Sequence, residues 1–194
     1  VMLVVMRDRP SDVGLLPYGH EGAPPPVPPP SSASVTAAAF GALRDAARTR
    51  VFWILFATFF ICGASTNGLI QTHFIPMCVD FGLSQTKAAG LLAAIGVFDF
   101  VGTIASGWLA DRYDNRWLLF WYYGLRGLSL VFLPFTDFTF FGLSIFAVFY
   151  GLDWIATVPP TVKLTAQKFG AERANLVFGW IFAGHQIGAA MAAF

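Results

Sequence analysis

Long apolar stretches separated by short polar connectors occupy the sequence from residue 51 to its end. A helix needs about 20 apolar residues to cross a hydrocarbon core of about 30 Å. Five stretches meet or approach that length: residues 51 to about 77, 88–110, 117–134, 138 to about 164, and 174–194. Each stretch is apolar on all sides, which is typical of membrane-spanning helices. The pattern predicts an all-α membrane protein, a polytopic transmembrane helix bundle.

The first 50 residues have a different character. Residues 1–6 (VMLVVM) are apolar but too short to cross a membrane, and we interpret them as the end of a truncated transmembrane helix. Residues 7–50 form a loop in which six prolines between positions 24 and 30 favour an extended, water-exposed chain. This proline-rich linker is either a spacer or a docking segment for a soluble partner. Residues 35–50 combine alanines with arginines and predict a short helix at the membrane surface.

Charged residues make up only 12% of the chain, against about 25% in a typical soluble domain. The net charge of +1 gives no indication of nucleic-acid binding. One side of the predicted topology holds nine basic residues, whereas the other holds Lys87 with Asp80 and Asp137. The nine are Arg7, Arg9, Arg44, Arg48, Arg50, Arg112, Arg116, Lys168 and Arg173. Because cytoplasmic loops are rich in lysine and arginine, we predict a multi-pass protein of the cell (inner) membrane with a cytoplasmic linker.

The connector between the second and third stretches carries a motif. Residues 107–116 have the sequence GWLADRYDNR, which resembles the G-x-L-x-D-R-x-x-x-R loop of the major facilitator superfamily. In that family the loop joins the second and third helices of each six-helix half on the cytoplasmic side. The resemblance implies an incomplete six-helix half: the end of helix six, the central loop, and helices seven to eleven in residues 51–194. The missing amino-terminal half of the same transporter would be its partner.

The resemblance also implies a role for the charges of this loop. Asp111 lies at a helix end beside Arg112 and Arg116, and in the family such charges form a latch that holds one conformation. The alternative is that the two arginines only anchor the cytoplasmic face. Gly107 is expected to permit a close approach between two backbones.

Four ionisable residues lie deep in four different predicted spans. At about 1.5 Å per helical residue, Asp99 lies roughly 18 Å from the cytoplasmic end, Asp153 about 16 Å, and Arg126 and His185 about 15 Å. Ionisable groups at this depth are costly and are functional candidates, and transporters bind substrates and coupling ions at this level. Because the third helix of a half is peripheral in the family, Arg126 is assigned a structural ion pair with Asp99 or Asp153, with contact to the substrate as the alternative.

Further polar residues complete the predicted site. The segment GVFDF around Asp99 resembles the matching helix of monocarboxylate transporters, in which an arginine follows the aspartate by four residues; Thr103 stands there in this chain. Asp99 and His185 either carry a proton or substrate, or serve only as structural partners. The substrate or coupling-ion candidates are Asn67, Gln71, Asp99, Thr103, Tyr150, Asp153, His185 and Gln186.

Taken together, these features predict a secondary active transporter that moves a small solute across the lipid bilayer by alternating access. An organic anion, coupled to protons, is the first prediction for the cargo. Efflux of amphipathic, drug-like compounds is the alternative, and a membrane receptor or interaction protein is the alternative from another class. The sequence contains no HExxH, G-x-S-x-G, CxxC or P-loop motif, so no enzyme activity, cofactor or metal site is predicted.

Overall fold

The computed structural model describes residues 13–15 and 32–194. The chain divides into two units, Val1–Ala37 and Ala38–Phe194; the packing described below is that of the second. The first unit contributes the opening residues of one helix. The predicted span end at residues 1–6 and the prolines of the linker lie outside the described residues.

Eight α-helices, numbered here over the described residues, make up the bundle. They are α1 (Ser32–Ala46), α2 (Arg50–Gly63), α3 (Thr72–Asp80), α4 (Gln85–Ala110), α5 (Asn115–Phe132), α6 (Phe140–Asp153), α7 (Val158–Phe169) and α8 (Ala171–Ala192). A π-helical segment, Ala64–Gln71, joins α2 to α3, and a 3-10 turn, Leu133–Phe135, extends α5. The described regular structure is therefore entirely helical, and the predicted all-α bundle is confirmed.

Within the described part of the chain, four helical units are long and apolar enough to cross a membrane: Arg50–Asp80, Gln85–Ala110, Asn115–Phe135 and Phe140–Phe169. They correspond to the first four predicted spans. The fifth predicted span corresponds to α8, whose 22 residues would extend about 33 Å. The apolar sequence of α8 is interrupted by Asn175, His185 and Gln186. By length and composition, the candidate membrane spans among the described residues are the other four helical units. A fifth crossing by α8 stays a prediction.

Glycines allow the two most extensive helix contacts, α4 with α6 and α2 with α8. A Cβ atom built on Gly102 of α4 would collide with the carbonyl oxygen of Leu152 on α6. A Cβ atom on Gly188 of α8 would collide in the same way with the carbonyl oxygen of Phe60 on α2. Small residues at such crossings let two membrane helices pack backbone against backbone.

The close backbone approach predicted at Gly107 is wrong. Among the described residues, nothing lies within 4 Å of a Cβ atom built there. The approach to α4 occurs instead at Gly102, five residues earlier. At the end of α4, the contact with α7 is made by a side chain. Lys163 of α7 donates a hydrogen bond to the carbonyl oxygen of Ala110.

Buried side chains form two apolar clusters. One joins α3, α4 and α6 and includes Phe74 and Phe146, whose ring centroids lie 6.0 Å apart. The other joins α1, α2, α5, α7 and α8 and includes Phe59 and Ile181. Large apolar side chains such as Phe100 on α4 remain exposed, as expected of a surface that faces lipid rather than water.

The basic connectors gather at one end of the bundle. Lys163 on α7 pairs with Asp111 at the end of α4 at 2.9 Å. Arg173 at the start of α8 pairs with Asp45 on α1 at 3.0 Å. Because α7 leads directly into α8, both pairs lie at the same end of the molecule, which agrees with the clustering of charge seen in the sequence.

Two alanine substitutions on α4 test the importance of the glycine crossing. We expect Gly102→Ala to lower the stability of the bundle by about 1–3 kcal/mol, because the methyl group overpacks a backbone contact. Gly96→Ala is the matched control, since a Cβ atom there meets nothing within 4 Å. Thermal unfolding in detergent measures both, and equal midpoints for the two variants would contradict the prediction.

Candidate functional site

The span Phe140–Phe169 is interrupted near its middle. Helix α6 ends at Asp153, α7 begins at Val158, and residues 154–157 form a turn between them. Proline has no backbone N–H, so Pro160 cannot donate the helical hydrogen bond to the carbonyl oxygen of Ala156. The span is therefore broken rather than kinked, and Pro159 and Pro160 both lie in the first turn of α7.

Side chains of α4 hold one side of this turn. Asp99 accepts a hydrogen bond from the backbone N–H of Ile155, with 2.8 Å between Oδ1 and N. Ser106 donates its hydroxyl to the carbonyl oxygen of Ala156 at 2.5 Å, which replaces the bond that proline cannot make. Thr103 donates to Asp99 at 3.2 Å. Backbone groups released by the break are therefore satisfied by side chains, as a lipid environment requires.

Arg126 of α5 holds the other side of the turn. Its Nη2 atom donates to the carbonyl oxygens of Asp153 and, at 2.9 Å, of Trp154. Its Nε atom pairs with Oδ2 of Asp153 at 2.8 Å, and both side chains are buried. Its Nη1 atom donates to Sγ of Cys62 on α2, also at 2.8 Å. The guanidinium is thus paired with Asp153, one of the two acceptors considered from the sequence, and all three of its nitrogen atoms are engaged.

The π-helical segment Ala64–Gln71 interrupts the first span, Arg50–Asp80, near its middle. The turn at residues 154–157 interrupts the fourth span in the same way. Ser65 and Thr66 both donate their hydroxyls to the carbonyl oxygen of Cys62, at 3.1 and 2.7 Å. Side-chain donors of this kind compete with the helical hydrogen bonds of the backbone, and π-helical turns are frequent at functional sites. Tyr150 of α6 donates its hydroxyl to the carbonyl oxygen of Ser65 at 2.8 Å.

His185 of α8 lies close to the same region. Its ring stacks on Phe182, with centroids 5.2 Å apart, and lies 6.0 Å from the ring of Phe59. The imidazole neighbours the Cys62 thiol, and its Nδ1 atom is buried without a hydrogen-bond partner among the described residues. A Cβ atom on Gly63 would collide with the backbone of His185, so the histidine is packed tightly against α2.

The remaining predicted candidates lie further from the turn. Asn67 accepts a hydrogen bond from Thr66 at 3.1 Å within the π-helical segment and is half-buried. Gln71 and Gln186 are exposed. The structure therefore gathers Asp99, Thr103, Tyr150, Asp153, Arg126 and His185 around the two interruptions, with Asn67 on one of them.

Two residues of this region were not identified from the sequence. Ser106 follows Asp99 by seven residues and Thr103 by three, so the three share one face of α4; this polar stripe was a detectable signal. Cys62 lies within an apolar stretch, where a free cysteine usually behaves as a small apolar residue. No spacing links it to Arg126, which lies 64 positions away.

Each charged residue of the loop motif has a partner in the structure. Asp111 pairs with Lys163 of α7, whereas Arg112 stacks over the ring of Trp108 at 4.0 Å. Arg116 pairs with Asp114 at 2.7 Å. Among the described residues, neither arginine forms an ion pair with Asp111. Of the charged residues in the loop motif, Asp111 is therefore the one that forms an ion pair with another helix among the described residues.

These pairs change the acidity of the two carboxyl groups. The hydrogen bond and charge of Lys163 hold the pKa of Asp111 below its usual value. Arg116 lowers the pKa of Asp114 further, to about 2, chiefly through its side-chain hydrogen bond. Both carboxylates are exposed at the membrane-flanking end of the bundle.

Comparison with known proteins identifies the sequence class. The family model for the Major Facilitator Superfamily matches residues 1–193. Monocarboxylate transporter 12-B of Danio rerio is 30% identical over 143 residues, which cover 70% of this chain and 29% of the relative. Monocarboxylate transporter 13 of Rattus norvegicus is 32% identical over 104 residues, covering 52% of this chain and 24% of the relative. The chain thus spans less than a third of the length of these relatives.

Variants of Arg126 and Arg116, both on α5, compare the stability contributed by a buried ion pair with that of an exposed one. We expect Arg126→Leu to destabilise the bundle by about 3–5 kcal/mol, because the Asp153 carboxylate stays buried without its partner. Arg126→Leu combined with Asp153→Leu should recover much of the loss. Arg116→Leu is the control and should change stability little, because exposed pairs contribute little. Unfolding midpoints in detergent measure all three, and a double variant no better than Arg126→Leu would refute this interpretation.

The exposed end of the bundle gives a prediction for pH. Since the pKa of Asp111 is lowered in the fold, its pair with Lys163 stabilises above the ordinary carboxyl pKa and is lost as the pH falls through the lowered value. Lys163→Gln should raise the pKa of Asp111 towards its ordinary value. The pKa of Asp114 should stay at about 2 in the same variant, because Arg116 sets it. Carboxyl carbon NMR over a pH series measures both groups, and an unchanged Asp111 would contradict the assignment.

Proposed function

Because the chain belongs to the Major Facilitator Superfamily, a family of membrane transporters and not of enzymes, we propose that the whole protein moves a small solute across a membrane by alternating access. The observation that supports this most directly is the meeting of two interrupted spans around buried ionisable side chains. Discontinuous helices near mid-membrane, with exposed backbone ends, are the usual setting of substrate and ion sites in transporters. A structural bundle alone would not need this costly arrangement.

An organic anion is the proposed cargo. The relatives reported above are named as monocarboxylate transporters, and the aspartate of the matching helix is present as Asp99. The arginine that would follow it is replaced by Thr103, which bonds to Asp99. Arg126 is not a contact for the cargo in this proposal, because Asp153, Cys62 and two carbonyl groups already occupy its donors.

Protons are the proposed coupling ions, with Asp99 and His185 as their carriers. Asp99 is half-buried and binds a backbone N–H of the turn. A carboxylate placed there senses the conformation of the turn directly. His185 keeps one buried ring nitrogen, Nδ1, without a partner among the described residues, so this atom is the proposed position for the transferred proton.

Efflux of amphipathic compounds remains the second candidate, supported by two mostly apolar cavities. One, of about 740 Å³, lies between α2 and α5 and reaches Arg126. The other, of about 590 Å³, lies between α5 and α6 and reaches Asp153. The lining of the first cavity includes the charged side chains of Arg116, Arg126 and Lys168, and that of the second includes Asp153. A mostly apolar cavity with a few charged groups suits a molecule that is largely apolar and carries a polar or charged end.

We further propose that the basic end of the bundle faces the cytoplasm and that the membrane is the cell membrane. The clustering of basic residues at the end that holds Asp111 and Lys163 supports this orientation. The Asp111–Lys163 pair is the proposed latch, because it joins α4 to α7 and would have to part if the two helices separate there.

Uptake into proteoliposomes tests cargo and coupling together. The full-length protein, with radiolabelled pyruvate as the probe, should accumulate it about tenfold for each unit of pH difference, if one proton moves with each anion. Asp99→Asn combined with His185→Ala should abolish the dependence on the pH gradient. Asp137→Asn, on an exposed connector at the opposite end, is the control and should retain it.

Gradient-driven uptake that persists in the Asp99→Asn, His185→Ala variant would remove the coupling assignment. Efflux of the lipophilic dye rhodamine 6G, with no uptake of pyruvate, would favour the second candidate function over the first.

A further inference from the structure

We propose that Arg126 is a positioning residue that couples the two interruptions, so that the π-helical segment Ala64–Gln71 and the turn at residues 154–157 change conformation together. This goes beyond the proposed transport function, because it concerns how two distant parts of the chain are linked. It does not depend on the identity of the cargo or of the coupling ion.

The first support is the division of the guanidinium between two spans. Nη1 donates to Sγ of Cys62. The carbonyl oxygen of the same cysteine accepts hydrogen bonds from the hydroxyls of Ser65 and Thr66, near the start of the π-helical segment. Nη2 donates to the carbonyl oxygen of Trp154, the first residue of the turn. One planar group with fixed donor directions therefore touches the start of both interruptions.

The second support is that other contacts between these spans are weaker or lie elsewhere. Tyr150 bonds to Ser65, but it lies within α6, a full turn of helix ahead of the break. The hydroxyl of Thr157 lies 3.7 Å from Sγ of Cys62, a long and uncharged contact. Arg126 is the charged group that binds the turn itself and α2 at once.

The third support is the cost of moving either interruption alone. Arg126 is 2% exposed, so water cannot replace an acceptor that moves away. A buried charged donor left without an acceptor is penalised more heavily than a neutral one. Displacing the turn removes acceptors from one side of the guanidinium, and the group can follow only by leaving Cys62. The two interruptions are thus linked through a group that must keep its contacts on both sides.

Hydrogen–deuterium exchange on the full-length protein in nanodiscs tests this link. Ser106→Ala frees the carbonyl oxygen of Ala156 and should raise exchange in the turn about fivefold, the effect of one lost hydrogen bond. If Arg126 couples the interruptions, exchange in residues 64–71 should rise at least about twofold in the same variant, although the hydrogen bond of Ser106 is to the turn and not to that segment. The comparison is then repeated with Arg126→Gln and Asp153→Asn together, which keeps a neutral hydrogen-bonded pair.

In that neutral background Ser106→Ala should still loosen the turn, but exchange in residues 64–71 should no longer respond. A response of equal size in both backgrounds, or in neither, overturns the proposal. If Arg126 were only structural, replacing it would raise exchange throughout the bundle. It would not change how strongly exchange in residues 64–71 responds to Ser106→Ala.

A second set of variants covers the case in which the neutral pair does not fold. Cys62→Ala removes the contact on α2 and leaves the Asp153 pair intact, so the response of residues 64–71 to Ser106→Ala should disappear. Thr157→Val and Tyr150→Phe are the matched controls, each removing one other contact between the spans, and both should keep the response. A response that survives Cys62→Ala, or is lost in either control, contradicts the role of Arg126.

Discussion

Backbone N–H and C=O groups inside a bilayer have no water to bind, and this constraint governs the whole bundle. An unbroken helix satisfies these groups internally, whereas the turn at residues 154–157 satisfies only some of them through its own backbone. It is tolerated because Asp99, Ser106 and Arg126 bind its N–H and C=O groups from two neighbouring helices. The positions of α4 and α5 against this span are therefore set by hydrogen bonds as well as by packing.

Charge pairs at the two levels of the bundle serve different purposes. Arg126 and Asp153 are buried, and their pairing is mostly a condition for keeping two charges in an apolar interior. Asp111 and Lys163 are partly or fully exposed, so water can replace either partner when the two separate. A contact of the first kind fixes geometry, whereas a contact of the second kind can break and reform during a conformational cycle.

The sequence predicted the helical class and the first four spans, because these depend on composition and on length. The partners of the buried ionisable residues could not be predicted in the same way. Arg126 required acceptors, but the choice of Cys62 depends on how α2 packs against α5. Gly107 matched a family motif, yet the close backbone contact occurs at Gly102. The absence of a side chain at Gly102 lets the backbone of α4 meet the backbone of α6. Spacing along one helix was informative, and contacts between helices required the structure.

The limited apolarity of α8 has a consequence for membrane insertion and assembly. Its glycine-lined face lies against α2, and its polar residues include His185, which neighbours α2 rather than lipid. A helix of this kind gains little from entering the bilayer alone. We therefore expect the insertion of α8 to depend on its packing against α2. More than a hundred residues are synthesised between the two helices, and α2 must retain an unoccupied face throughout that interval.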